Sequence, residues 1–346
     1  MAPPASSSPS IRRPPALVVM GDAAYSDLFD AGLAARLSAL LDLRVPPRVS
    51  ELSSPSTRSR LAEIEVLVTG WGAPPIDQDV LDAAPALRAV FHTGGSVKSL
   101  MTQAAWDRGI VVTSAAEANA IPVAEFALAT ILLEGKRARQ YARGLREHRD
   151  GDDSWRRHVP PAVNYRGTVG LVGFSRVGRR VAELLRPFDL RVLVFDPVVD
   201  PGAVAASGAT SVDLETLARR SDIVSLHAPE LPETRGIVGR RFLSLLADDS
   251  VLINTARGGL VDQDALVAEC ASGRLRAVLD VTEPEPLPAD HPFYTLPTVE
   301  LTPHIAGSMH AETHRMTESA LGEIDRYVRG LPLRHAIDGR ALGVLA

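Results

Sequence analysis

The chain has 346 residues, enough for two domains with buried cores at roughly 150 residues each. Hydrophobic residues make up 45% and charged residues 23%, ordinary globular values that exclude a wholly disordered chain. The net charge of -5 gives no basic footprint for nucleic acid or an anionic membrane, and the single cysteine, Cys270, excludes an internal disulfide and a Cys-rich metal site.

Residues 1–15 are rich in Pro, Ser and Ala, carry two arginines, and are expected to form a disordered tail. The apolar run from Ala16 to Met20 is shorter than a secretory core and ends at Gly21-Asp22, so it reads as a first buried strand. No stretch approaches the ~20 apolar residues of a membrane-spanning helix. The expectation is a soluble cytoplasmic protein, which also suits the lone thiol.

Further strand-like runs lie at 65–69, 88–92, 110–113, 168–172, 190–195, 222–226, 250–253, 275–280 and 298–301. Helical spacing fills 26–41, 99–108, 176–187 and 262–270 between them. Such alternation predicts an α/β protein with parallel sheets wrapped by helices. The longest helical pattern, 119–143, places Val123, Phe126, Ala127, Thr130 and Ile131 on one face. It runs into a polar stretch, 144–162, with Arg143, Arg146, Arg149, Asp150, Asp152, Asp153, Arg156 and Arg157 in and beside it. That stretch reads as a solvated loop or as an arm on a second subunit. A new strand–helix–strand pattern begins after 162, which puts a domain junction near 117–120 and a return near 305–310, before a last helix at 309–329.

Residues 168–178 read as a strand running into a glycine turn, Gly173-Phe-Ser175-Arg176-Val177-Gly178, with a helix expected from Arg179 to Arg186. Asp196 follows 23 residues after Gly173, at the end of the next strand. Glycines there permit a tight turn, the helix N-terminus holds a pyrophosphate, and the acid binds ribose hydroxyls. Ser175 replaces the middle glycine of that fingerprint. It adds a small side chain that either pushes the phosphates outward or donates to them. Asp196 repels a 2′-phosphate, and Pro197-Val198-Val199 supply no arginine for one, so NAD is expected over NADP.

Three more segments, 250–262, 279–286 and 301–308, each place a charged or titratable residue just past a strand, at the edge where such sheets bind ligands. Arg257, a glutamate and His304 converging there suit hydride chemistry on a keto acid. The guanidinium forks onto a carboxylate and polarises the adjoining carbonyl. The imidazole is a proton donor near neutral pH, and a carboxylate beside it orients the ring.

The sequence of glycine turn, Asp196, Ser225-Leu-His-Ala-Pro229, Asn254-Thr-Ala-Arg-Gly258, Asp280-Val-x-x-x-Glu285-Pro and Thr302-Pro-His-Ile-Ala306 resembles the D-isomer-specific 2-hydroxyacid dehydrogenase family over about residues 65–330. The resemblance implies that Arg257 binds the substrate, that His304 is the acid/base, and that Glu285 rather than Glu283 pairs with it. It assigns Asp280 to the nicotinamide carboxamide and Thr255 and Ala256 to the cofactor wall. It lays His227 and Pro229 along the dinucleotide, and Arg176 and Val177 over the pyrophosphate. The implied architecture is a Rossmann NAD-binding domain, 118–308, inserted into a smaller flavodoxin-like substrate domain, 16–117 with 309–346. The active site would lie in the cleft between the two, and the usual assembly is a homodimer.

For the substrate, Phe91-His-Thr-Gly-Gly-Ser-Val-Lys98 matches the family loop whose backbone amides hold a carboxylate, with Gly95 and Ser96 as candidates. Lys98 and Ser99 stand where the family carries Asn or Asp. Trp71 occupies the place where phosphoglycerate-oxidising relatives carry an arginine, which points to a non-phosphorylated 2-keto or 2-hydroxy acid. Gly95 and Glu285 count against phosphite and formate. Glyoxylate, hydroxypyruvate, pyruvate and bulkier 2-keto acids remain.

Two alternatives stay open: an NADH-sensing binding protein like the corepressors of this fold family, and a dehydrogenase of a specialised acid or phosphonate. His92, at a strand end, faces the cleft or packs in the core. His310 and His314 have a metal-capable spacing but no third ligand, so no metal is expected. Cys270 reads as a small buried residue.

Overall fold

A computed structural model describes residues 12–149, 151 and 153–339, the side chains of 45–47 excepted. The chain divides into two compact units. One runs through Asn119 and resumes at Ser308; the other is Ala120–Gly307.

The first unit contains β1 (Pro15–Val19), α1 (Asp22–Leu28), α2 (Ala31–Leu40), β2 (Asp42–Val49), α3 (Pro55–Leu61), β3 (Val66–Thr69), α4 (Gln78–Ala83), β4 (Ala89–His92), α5 (Gln103–Asp107) and β5 (Val111–Ser114). All five strands are parallel, in the order β2-β1-β3-β4-β5, the flavodoxin-like order. Leu17 and Val19 of β1 join Leu67, Val90 and Val112 in one apolar cluster; Ala16 and Val18 join Val66, Val68 and Phe91 in another. A strand covered on both faces is apolar throughout, which is why these runs stand out as unbroken stretches. The strand order reverses between β1 and β3. At the carboxyl ends of these two strands the Gly21 amide donates to the Trp71 carbonyl at 3.0 Å.

The boundary between the units falls inside α6 (Ala116–Gly135). Then follow α7 (Ala138–Glu147), β6 (Thr168–Val172), α8 (Arg176–Leu185), β7 (Arg191–Phe195), α9 (Pro201–Ala206), β8 (Thr210–Ser211), α10 (Leu214–Arg220), β9 (Ile223–Leu226), α11 (Arg240–Leu245), β10 (Val251–Asn254), α12 (Gln263–Ala271), β11 (Arg276–Leu279) and β12 (Val299–Leu301). The seven parallel strands take the order β12-β11-β10-β9-β6-β7-β8. The chain moves outward from β6 through β8, then crosses back to β9, so the topological switch lies between β6 and β9. The first unit closes with α13 (Thr313–Val328), whose Met316, Leu321 and Ile324 pack with Val18 and Phe91.

Several expectations need correction. The tail ends earlier than residue 15: Arg12 pairs with Glu65, Arg13 donates to the Leu41 carbonyl at 2.8 Å, and Pro15 opens β1. Residues 1–11 lie outside the described residues. The helix expected over 26–41 is two helices, because the Asp30 carboxylate caps the Leu33 amide at 2.7 Å and starts α2 afresh. The helix expected over 99–108 begins only at Gln103, behind the Thr102 cap.

The 119–143 helix is likewise two, split where Arg137 takes a left-handed backbone, φ 61°. Its buried guanidinium donates to the carbonyls of Pro161 and Asp249 at 3.2 and 3.0 Å. The fully buried residues of α6 include Ala124, Ala127, Thr130 and Ile131, whereas Val123 and Phe126 are only half-buried. By length and composition α6 is apolar enough to cross a membrane, contrary to expectation, yet Ala124, Ala127 and Ile131 pack in the second unit's core. The polar stretch is partly structured: α7 reaches Glu147, and Trp155 is buried over Gly144, where a Cβ would meet its ring at 2.2 Å. Asp150 and Asp152 lie outside the described residues. α8 begins three residues before Arg179, directly after Ser175. Strands β2 and β8 have no counterpart among the expected runs; β2 holds Pro46 and Pro47, which an edge strand tolerates.

Candidate active site

The second unit's chemistry gathers at the carboxyl ends of β6, β9, β10, β11 and β12. Gly173 directly follows β6 with φ 97°, and its amide donates to the Phe195 carbonyl at 2.8 Å. A Cβ on Gly173 would lie 2.4 Å from the Ala228 amide nitrogen, and one on Gly178 would lie 2.2 Å from the Gly173 carbonyl oxygen. Both glycines are therefore obligatory for the approach of β6, α8 and the end of β9. Ser175 is the N-cap residue of α8, but its hydroxyl makes no capping bond. The helix begins at Arg176, so the first amides, including those of Val177 and Gly178, lie at the anion-binding end. Asp196 is held by the Phe174 amide at 2.7 Å and by those of Val198 and Val199 at 2.9 and 3.1 Å.

His227 donates its amide to the Val172 carbonyl at 2.7 Å, across the switch point. Its ring is buried, which pushes its pKa down to about 3 and keeps it neutral, and its Nε2 has no partner among the described residues. Pro229 accepts the Thr234 hydroxyl at 2.6 Å. The Thr255 hydroxyl is also buried without a partner among the described residues. Orphaned polar atoms at a switch point, a cradle that only glycine permits and a fixed acid beyond it fit a dinucleotide.

Asn254 at the end of β10 clamps the next turn. Its side chain donates to the Arg257 carbonyl at 2.8 Å and accepts the Ala256 amide at 3.0 Å. Arg257 is thereby held exposed, its Nη1 on the Ala256 carbonyl at 2.6 Å. Gly258 lets this turn press on the next one, since a Cβ there would fall 2.2 Å from the Thr282 carbonyl carbon.

Past β11 and β12, His304 Nδ1 lies 2.8 Å from Glu285 Oε1, both side chains about half-exposed. His304 has a left-handed backbone, φ 56°, unusual for a side-chain-bearing residue and common at functional sites. What holds it is Asp280, 2% exposed. Its carboxylate accepts the Thr302 hydroxyl at 2.6 Å and the amides of Ile305 and Ala306 at 2.8 and 2.9 Å, while its carbonyl accepts the His304 amide at 3.0 Å. Three of about four acceptor positions on that carboxylate are thus engaged by the histidine loop, leaving one for the carboxamide role the resemblance implies. Glu283 points elsewhere, paired with Arg235. The anchoring roles of Asn254 and Asp280 go beyond what the sequence indicates; Asn254 ends β10 and Asp280 directly follows β11, a position that marks them as site residues without showing what they hold.

The substrate candidates of the first unit lie on separate turns. Trp71 is 42% exposed after β3. Gly95 and Ser96 follow β4, with Ser96 exposed and its hydroxyl accepting the Lys98 amide at 3.4 Å. His92 is a core residue, its Nδ1 2.9 Å from the Thr69 hydroxyl, and burial pushes its pKa down to about 4. Cys270 is buried, its thiol pushed up to about 12. Among the described residues no group of three or more His, Cys, Asp or Glu is placed to hold a metal ion.

A doubly wound parallel sheet with this glycine turn, acid and orphaned polar atoms at its switch point defines a dinucleotide-binding protein. Comparison with known proteins narrows the class. Residues 128–306 match the model described as D-isomer specific 2-hydroxyacid dehydrogenase, NAD binding domain. The chain is 34% identical over 265 residues to a D-3-phosphoglycerate dehydrogenase of Archaeoglobus fulgidus, covering 76% of this chain and 49% of that protein. It is 34% identical over 262 residues to a glyoxylate reductase of Korarchaeum cryptofilum, covering 74% of this chain and 77% of that one. The crystal structure of the TT0316 protein from Thermus thermophilus superposes with a TM-score of 0.72 at 30% identity, covering 93% of this chain and 99% of that chain. The chain belongs to the D-isomer specific 2-hydroxyacid dehydrogenase family, with NAD as the cofactor of its second unit. It spans about half the length of the phosphoglycerate dehydrogenases it matches.

Proposed function

We propose that the protein is an NAD-dependent oxidoreductase that interconverts a small, non-phosphorylated 2-keto acid and the D-2-hydroxy acid, in the manner of a glyoxylate or hydroxypyruvate reductase. The observation that carries this reading is the His304–Glu285 pair, set on a loop anchored by Asp280. NAD(H) supplies the hydride donor or acceptor of the reaction. Gly173, Ser175, Arg176, Val177, Gly178, Asp196, His227, Pro229, Thr255 and Ala256 hold it, with Asp280 contributing its remaining acceptor position.

Glu285 holds His304 Nδ1, which leaves Nε2 to deliver a proton to the keto oxygen and to retrieve it in the reverse direction. Arg257, exposed and held by the Asn254 clamp, binds the substrate carboxylate and polarises the adjoining carbonyl. The amides of Gly95 and Ser96 serve the same carboxylate. Trp71, at the switch point of the first unit, supplies an apolar wall and no positive charge, which supports a substrate without phosphate.

The working assembly in this reading is a homodimer in the cytoplasm. The exposed Leu133, Tyr141 and Leu145 support a subunit contact on α6 and α7. The deciding experiment offers glyoxylate, hydroxypyruvate, pyruvate, phenylpyruvate and phosphohydroxypyruvate to the purified protein with NADH or NADPH, and follows loss of the reduced cofactor. Turnover of unphosphorylated acids with NADH is expected. A preference for phosphohydroxypyruvate would overturn the substrate reading. Tight NADH binding without turnover of any acid would overturn the enzymatic one.

A further inference from the structure

The arginines of the polar stretch are not explained by the reaction. Arg139, Arg143 and Arg146 are spaced at i, i+4 and i+7 on α7, so they project from one face of the helix. Like charges at that spacing cost an isolated helix a few tenths of a kcal/mol per pair. Here they share a cavity of about 430 Å³ with Arg276, which faces them from the start of β11. Two acids, Glu134 and Glu300, also line it, but both lie against Arg139. Arg143 reaches Glu147 only at 3.8 Å and donates to the Pro297 carbonyl at 2.9 Å. Arg146 forms no ion pair among the described residues. Arg276 is met by Asp249 at 3.4 Å, so the guanidinium groups that line the cavity with no acid nearer than 3.8 Å among the described residues are those of Arg143 and Arg146.

We propose that this cavity is a binding site for a small polyanion of the phosphate type, held by the guanidinium groups of Arg143, Arg146 and Arg276. Planar guanidinium forks are the side chains best suited to bidentate phosphate contacts. Arg276 is largely buried and pairs with Asp249 at 3.4 Å. Its pKa is lowered chiefly by burial, with Arg137 and Arg143 adding to the fall and Asp249 and Glu134 opposing it. The cavity is distinct from the dinucleotide site. It opens at the amino ends of β11 and β12, whereas Asp280 and His304 follow their carboxyl ends, roughly 13 Å further along at about 3.3 Å per residue. All the residues that line it belong to the second unit. The exposed Tyr141 and Leu145 lie on the opposite face of α7 from these arginines. The two strands beside the anion lead directly into the Asp280 and His304 loops, so an occupant is placed to influence the reaction. The proposal does not depend on the identity of the substrate.

The test is calorimetric titration of the full chain with inorganic pyrophosphate in the presence of saturating NADH, which blocks the cofactor's own pyrophosphate site. One site per chain is expected, weakening as salt is raised. Arg146→Gln should weaken it roughly tenfold, the loss of one charged hydrogen bond. NADH affinity should be unchanged. As a measurement that needs no variant, pyrophosphate should protect Arg143 and Arg146 from phenylglyoxal, read by peptide mass. Absence of a binding isotherm under saturating NADH, equal affinity in the variant or absence of protection would each overturn the proposal. So would conversion of a dimer to monomers by Arg146→Gln, which would mark the cavity as a subunit interface instead.

Discussion

The amide of Ile305 donates to the buried carboxylate of Asp280 at 2.8 Å, so the end of one strand sets the backbone that presents His304. Asp280→Asn keeps the shape but turns an acceptor into a donor facing an amide. The expected result is a loss of about 2 kcal/mol of stability, seen as a lower urea midpoint, together with a fall in kcat. Unchanged stability and turnover would show that the loop holds itself.

His304→Asn should lower keto acid reduction by roughly 10²–10⁴-fold, because the proton donor is removed. NADH affinity, measured by fluorescence titration, should change little, since the proposed role of the imidazole is toward the keto oxygen rather than the dinucleotide. Glu285→Gln should lower kcat less than His304→Asn, because the ring keeps a hydrogen-bond partner at Nδ1 but loses the charged one.

Asp196→Ala should relax the choice between cofactors. The carboxylate sits on the Phe174 amide at the glycine turn, where in the proposed reading it meets a free ribose hydroxyl and repels a 2′-phosphate. The ratio of kcat/KM for NADH over NADPH should fall by ~10-fold, or about 1.4 kcal/mol. No shift in preference would remove Asp196 from the cofactor site.

His92 makes stability depend on pH. Its pKa falls from 6.5 to about 4 on folding, so between those values the unfolded chain binds more protons than the folded one. Its contribution is therefore complete above pH 6.5, declines as the pH falls toward 4, and changes no further below that. At pH 5 the loss amounts to about 2 kcal/mol relative to neutral pH. In His92→Gln the drop in stability between pH 7.5 and pH 5, measured by urea unfolding, should be smaller by that amount. An identical drop in both proteins would place the sensitivity elsewhere.

Most of the strand-like runs were legible because strands covered on both faces are apolar throughout, as in Leu17-Val18-Val19; the edge strand β12, with Glu300 exposed, is the weakest of them. The helix ends were less legible because their causes are distant. Arg137 breaks a continuous helical pattern only because the carbonyls of Pro161 and Asp249 lie within reach of its guanidinium. Trp155 draws its segment out of solvent only because Gly144 leaves room for the ring.

At the site, position relative to a strand end was enough to mark Gly173, Asp196, Arg257 and His304 as candidates, whereas the choice of Glu285 over Glu283 rested on the family resemblance. Local order did not reveal that Asp280 anchors the histidine loop or that Asn254 clamps the arginine turn, because a hydrogen bond depends on angle and distance after packing. His92 shows the same division. A strand-end imidazole is compatible with a ligand pocket or with the core, and only burial against Thr69 decides for the core. The sequence by itself determined the alternation of strand and helix, the dinucleotide turn and the kinds of chemical group available, because these rest on short-range pattern. The tertiary structure decided which groups meet, which are held rigid and where positive charge collects on α7, because those depend on contacts between segments far apart in the chain.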